Sequence, residues 1–269
     1  MAAAAFGCLA GAMIAFPGEA AEAAWGALCL WARAVAPVLG PFMASVMMIT
    51  SRVSGGMALY TLLGWLGGSP GGARAAQGLK LRGRSALRLA ALTGTMSPMF
   101  FLGTVSKWLS DSKKAGVLLA CHLLGALLAG LAVPGGRRNA ERTPPHPMPL
   151  GTALRESGLA LMTVALCMML GAVAARMALC ALPGLPQSAA AALQCALEVT
   201  AGVKSLIALG PPHLEALICA ACSLGGLSLL MQNAAFWQES GIKPWQLLLL
   251  RLLHALISYG LCRAALLFT

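Results

Sequence analysis

Two cations stand beside glycine-rich interruptions of otherwise apolar sequence. Arg74 closes Gly67-Gly68-Ser69-Pro70-Gly71-Gly72-Ala73-Arg74, and Lys204 closes Glu198-Val199-Thr200-Ala201-Gly202-Val203-Lys204. A guanidinium can grip an anion through two parallel hydrogen bonds, whereas an ammonium acts as a point charge. Gly68, Gly72 and Gly202 let backbone N–H groups approach a ligand, and a helix that begins at such a break points its positive end there. Two more interruptions, Gly94-Thr95-Met96-Ser97-Pro98 and Gly225-Gly226-Leu227-Ser228, carry hydroxyls of their own. Ser69, Thr95, Ser97, Thr200, Ser228, Gln232 and Asn233 therefore complete a candidate set for non-covalent recognition of a small polar or anionic ligand. Each has a structural alternative. Arg74 can snorkel to the interface with Lys80 and Arg82, and the hydroxyls and amides can satisfy backbone groups freed by the breaks. Glu198 can pair with Lys204 or take part in proton or cation coupling.

Covalent chemistry finds little support. There is no His-Glu-x-x-His pair and no phosphate loop ending in Gly-Lys-Ser/Thr, and a nucleophile with a matching base is not evident, so no enzyme is expected. The nine cysteines are scattered through apolar runs and read as small hydrophobes, Cys219-Ala-Ala-Cys222 included. No metal or cofactor is expected. His122 and His254 read as packing or interhelical hydrogen-bonding residues.

Of the 269 residues, 59% are hydrophobic and only 10% charged, which excludes an ordinary soluble domain. The partner implied is the lipid bilayer. The net charge of +11 then reads as cytoplasmic loop charge and not as a nucleic-acid surface. Residues 1–24 form an N-terminal span, an uncleaved segment or signal anchor, followed by a polar interfacial stretch at Glu19 to Ala24. A first unit runs over 25–133, with a break at 67–74 and a broken span over 87–109. The proline- and arginine-rich loop 134–151 separates it from a second unit over 152–269, with a break at 198–204 and a broken span over 214–237.

The two units match in the order of their parts. Shifting the second back by 130 residues lays Gly202 on Gly72 and Lys204 on Arg74, and a shift of 132 lays Gly226 on Gly94 and His254 on His122. Val53 to Leu66 is short for a span, so each of the first breaks reads as a hairpin that returns to its side of entry. The expected fold is an all-α polytopic membrane protein with two inverted repeats, re-entrant helical hairpins and broken transmembrane helices. With loop 134–151 in the cytoplasm, Arg52, Arg74, Lys80, Arg82, Arg84 and Arg88 fall towards the same side.

Phe16-Pro17, Gly26-Ala27-Leu28-Cys29-Leu30-Trp31, Pro37 and Pro41-Phe42 resemble the opening of the YlbJ-type (SpoVV-type) sporulation integral membrane proteins. Gly68 to Arg74, Gly94 to Phe100, Leu197 to Lys204, Gly225 to Ser228, Gln232 and Lys243-Pro244 resemble later motifs of that family. The resemblance extends from about Phe16 to Leu267, although this chain is shorter and its loop at 134–151 more compact. It implies membership of the nucleoside-recognition, or Gate-domain, group, with an architecture similar to concentrative nucleoside transporters. The implied role is transport of dipicolinic acid from the mother cell across the outer forespore membrane. Implied alternatives are a nucleoside or other small-anion carrier in the cell membrane and, from another class, a non-transporting scaffold of the spore envelope. For a dicarboxylate such as dipicolinate, Arg74 and Lys204 would supply two separated cationic patches. Homo-oligomerisation is left open.

Overall fold

The computed structural model describes residues 2–52, 56–77, 81–134 and 147–267. Lys80 and the loop cations Arg137, Arg138 and Arg142 lie outside the described residues, as does the side chain of Arg74. Among the described residues all regular structure is helical. Among them, four helices are long and apolar enough to cross a membrane, counting Leu214–Ser240 as one, or five if the bent pair Ala4–Ala15 and Pro17–Val35 is a single span.

Helix α1 (Ala2–Ala15) meets α2 (Pro17–Leu30) at a bend of 109°. The stretch Glu19 to Ala24 forms the first turns of α2. Pro17 suits the first turn because its missing N–H is one the helix could not have paired. The chain continues through a π turn at Trp31–Val35 into α3 (Ala36–Thr50). Pro37 offers no N–H and crowds the carbonyl four residues back, so the ladder widens locally, and the Ala36 N–H reaches the Trp31 carbonyl.

Helix α4 (Met57–Gln77) is continuous only in name. Gly68 sits at φ 73° and ψ −177°, and the chain folds back on itself there. A Cβ on Gly64 would stand 3.2 Å from Gly72 Cα, whereas an unbroken helix would hold these two positions about 12 Å apart. Next comes α5 (Gly83–Thr93), a non-helical stretch at Gly94 to Ser97, π turns at Phe100–Val105 and the short α6 (Ser106–Leu109). The indole of Trp65 donates to the Leu92 carbonyl at 2.7 Å and ties α4 to α5. Helix α7 (Ser112–Ala132) is capped by Asp111, whose carboxylate accepts from the Lys114 N–H at 3.0 Å.

The second unit opens with α8 (Leu150–Ala181). Helices α9 (Gln187–Leu197) and α10 (Val199–Leu209) reverse at Glu198, and a Cβ on Gly202 would stand 2.3 Å from Cys195 N. Helices α11 (Leu214–Leu224) and α12 (Gly226–Trp237) are separated at Gly225 and Gly226, both at positive φ, and α13 (Pro244–Ala265) is the last described helix. Helix α13 packs on α7 and α11, while α12 packs on α8 and α4.

Small residues make these approaches possible. A Cβ on Gly125 would meet the Ser258 hydroxyl of α13, and one on Gly130 would meet Leu92. Leu124, Leu128 and Leu131 on the opposite side of α7 are exposed, as are Leu249, Leu252 and Leu256 on α13. That division, small residues inward and leucines outward, is what a helix needs between protein and lipid. Cys121, Cys219, Cys222 and Cys262 are free and buried with Phe101, Leu118 and Ile218.

Candidate functional site

Four interruptions meet around one cavity of about 100 Å³. The α4 reversal supplies Gly68 and Ser69, and the stretch after α5 supplies Thr95 and Ser97. Glu198 and Thr200 come from the α9–α10 reversal, and Ser228 and Gln232 from the first turns of α12. Apolar walls complete it, including Val35, Leu39 and Phe42 from the first third of the chain and Val164 and Met168 from α8.

The reversal in α4 docks on the neighbouring break through backbone. The Ser69 N–H donates to the Thr95 carbonyl at 2.6 Å, and Gly68 lies against the Ser97 amide. The other pair docks likewise, since Gly226 lies against the carbonyls of Cys195 and Ala196. Glu198 ends α9 and caps α10, its carboxylate accepting from the N–H groups of Thr200 at 3.1 Å and Ala201 at 2.7 Å. Those amides are two that the helix itself leaves unpaired. Glu198 therefore has amide partners and forms no ion pair with Lys204.

Behind the cavity stands a residue that motif and spacing did not single out. Arg251 of α13 is 5% exposed. Its Nη2 donates to the Ser69 hydroxyl at 3.1 Å, and its Nη1 donates to the carbonyls of Gly94 and, at 3.4 Å, Ser223. The Ser69 hydroxyl in turn donates to Asn233 Oδ1, and Asn233 Nδ2 donates to the Leu229 carbonyl at 2.8 Å. One guanidinium thus ties the α4 reversal to the carbonyl ends of α5 and α11. A charged side chain in the middle of an apolar helix is the signal that could have found it.

His122 and His254 extend the network. His122 Nε2 accepts from the Met96 N–H at 2.9 Å, which leaves Nδ1–H to donate to the Ser223 hydroxyl at 2.8 Å. His254 Nε2 donates to the His122 carbonyl at 2.8 Å. Interhelical bonding, as expected, is what these two residues do. Gly67 to Gly71 spell the letters of a hydrolase elbow, Gly-x-Ser-x-Gly, but the Ser69 hydroxyl is held by Arg251 and Asn233. Neither can serve as its base.

Two polar atoms on the cavity wall have no partner, Thr95 Oγ1 and Gln232 Oε1. Thr95 is 0% and Gln232 2% exposed. An unpaired buried group costs about 1–3 kcal/mol. A ligand that reaches them would have to donate to Gln232 Oε1, whereas the Thr95 hydroxyl can donate or accept.

The remaining candidates lie elsewhere. Gly72 fits against Thr93 and Gly202 against Cys195, close approaches that shape the two reversals. Asn233 stands behind Ser69. Lys204 is exposed and lines a second cavity of about 500 Å³ together with Arg33 and Arg176. The pair of cationic grips expected from Arg74 and Lys204 is therefore not assembled in the central cavity from described side chains. The reason for Lys204 is helical geometry. Because α10 begins at Val199, Lys204 lies more than a turn down the arm from the reversal.

No protein-family model matches the chain, and no solved structure matches it. Among curated proteins, a stretch of 115 residues is 31% identical to the sporulation integral membrane protein YlbJ of Bacillus subtilis (strain 168). The matched stretch is 41% of this chain and 27% of that relative, so the likeness spans well under two thirds of the relative's length. Together with its four long apolar helices, this likeness supports an integral, multi-pass membrane protein.

Proposed function

We propose that this protein is a membrane transporter or channel that carries dipicolinic acid during sporulation, across the outer forespore membrane or the cell membrane. The observation that carries the transport reading is the convergence of four helix interruptions on one cavity with two unpartnered polar atoms. Irregular backbone at membrane depth is tolerated where it is buried in protein or lines a cavity, and paired discontinuous helices frame the sites of many transporters. We read the reversals at Gly68 and Glu198 as re-entrant hairpins, and residues 25–133 and 152–269 as inverted repeats. In support, each reversal docks on the break that follows it in its own unit, and the matched positions His122 and His254 are bonded to each other. Dipicolinate as substrate rests on the motif resemblance and on the likeness to the sporulation protein YlbJ.

A nucleoside is the second reading, and the cavity chemistry favours it. Gln232 Oε1 and the Glu198 carboxylate are acceptors that base N–H groups or sugar hydroxyls could meet. Uptake by proteoliposomes containing the purified protein separates the two. The expected result is dipicolinate flux well above that of protein-free vesicles, unaffected by excess uridine. Uridine flux without dipicolinate flux would reverse the assignment, and absence of both would favour a scaffold.

A further inference from the structure

We propose that the second cavity is an anion-collecting vestibule, through which a small carboxylate reaches the central cavity past Glu198 and Thr200. The inference rests on the transport reading and adds the route and the charge chemistry of access. The two cavities share Glu198 and Thr200 as lining residues, so they adjoin at the α9–α10 reversal. The outer one is the larger, about 500 Å³ against about 100 Å³.

Its charges are distributed unevenly. Arg33, Arg176 and Lys204 line it, with Glu198 as the acidic residue among its lining groups. Arg176 is already paired with Glu19 of α2. Glu198 is already bonded by two backbone amides at the start of α10. Arg33 and Lys204 form no ion pair among the described residues, and both are exposed. Arg33 is carried by the π turn before Pro37, and Lys204 by α10. Glu22 of α2 also acts on Arg176, and Glu198 is the one described carboxylate set against Arg33 and Lys204, so the lining keeps an excess of cations. Two cations without an ion-pair partner beside low-dielectric walls focus a positive potential and raise the local concentration of anions. The central cavity has no described cation of its own on its wall, so a dianion needs this antechamber to offset its loss of hydration.

Cys29 lines the same vestibule and is free, so its reactivity reports the local potential without requiring transport. The full-length protein in detergent is treated with an anionic or a cationic methanethiosulfonate, and modification at Cys29 is followed by site-resolved mass spectrometry. At low salt the anionic-to-cationic rate ratio should be about fivefold or more higher in the wild type than in Arg33→Gln/Lys204→Gln. The difference should collapse in about 0.5 M salt, and Lys204→Arg should keep the wild-type ratio. Both replaced side chains are exposed, and an unchanged Tm confirms that the fold is intact. Equal ratios in the wild type and the double variant overturn the proposal. A ratio lost in phosphatidylglycerol vesicles but kept in phosphatidylcholine identifies a lipid phosphate as the occupant, and also overturns it. Dipicolinate flux is measured in parallel. A wild-type protein with the raised ratio but no flux leaves the vestibule standing and removes the transport reading.

Discussion

Replacing Arg251 with methionine should abolish transport and lower the Tm of the purified protein by about 5 °C or more. Methionine fills much of the same volume, so the loss is of hydrogen bonding and not of packing. The Gly94 and Ser223 carbonyls lose their guanidinium donor, and Ser69 loses the bond that holds it from behind. Each buried acceptor left without a donor costs about 1–3 kcal/mol. The compensating gain is that an uncompensated buried charge is removed, which is why the net effect is expected to be moderate for stability and large for function. Arg251→Lys should be intermediate. A single ammonium keeps the charge but cannot span the three acceptors that the planar fork reaches. Full transport in Arg251→Met would mean that the three segments hold their positions without it.

The second large effect is expected at Gly68. Its φ of 73° with ψ of −177° is a backbone state that glycine adopts almost alone, and other residues pay about 1–3 kcal/mol for such conformations. Space adds to the strain, because a Cβ there would stand 3.0 Å from the Ser97 amide nitrogen and 3.3 Å from the Thr95 carbonyl oxygen. Neither neighbour is the free end of a flexible side chain. Gly68→Ala should therefore shift the reversal away from the break it docks on, with loss of the Ser69 to Thr95 bond and of substrate flux. Gly116→Ala is the matched control. It lies within α7 with open space around its Cβ position, so the same substitution should leave flux unchanged and raise Tm slightly. Equal tolerance at both positions would show that the reversal is not rigid.

The interruptions were legible in the sequence because glycine and proline state their own backbone consequences. Gly68, Gly94 to Ser97, Glu198 and Gly225 all stand where helices end or fold back. Composition announced the helices for the same local reason, since long apolar runs have few other stable forms in lipid. Long-range chemistry was not legible. Arg251 meets Ser69 across 182 positions and Gly94 across 157, and no local pattern encodes such a meeting. Lys204 was drawn to the site as the cation beside the Gly202 interruption, matched to Arg74. Helix α10, which starts at Val199, carries it to the wall of the neighbouring cavity. Glu198 shows the opposite error of emphasis. Its first task is to cap α10, a role written in its position before Val199-Thr200-Ala201 but hidden by interest in its charge.

We place substrate binding where the four interruptions meet. Thr95 and Gln232 test it most directly, because each carries a buried polar atom that the fold leaves without a partner. Residues that only supported the fold would already be bonded, so the double variant Thr95→Val/Gln232→Leu should keep or slightly raise Tm. Equilibrium binding of dipicolinate to the detergent-purified protein should nevertheless weaken by about tenfold or more, because the Thr95 hydroxyl and the Gln232 amide, turned to present its N–H, would each donate to a carboxylate. Wild-type affinity in a stably folded double variant would contradict the account and place the substrate elsewhere.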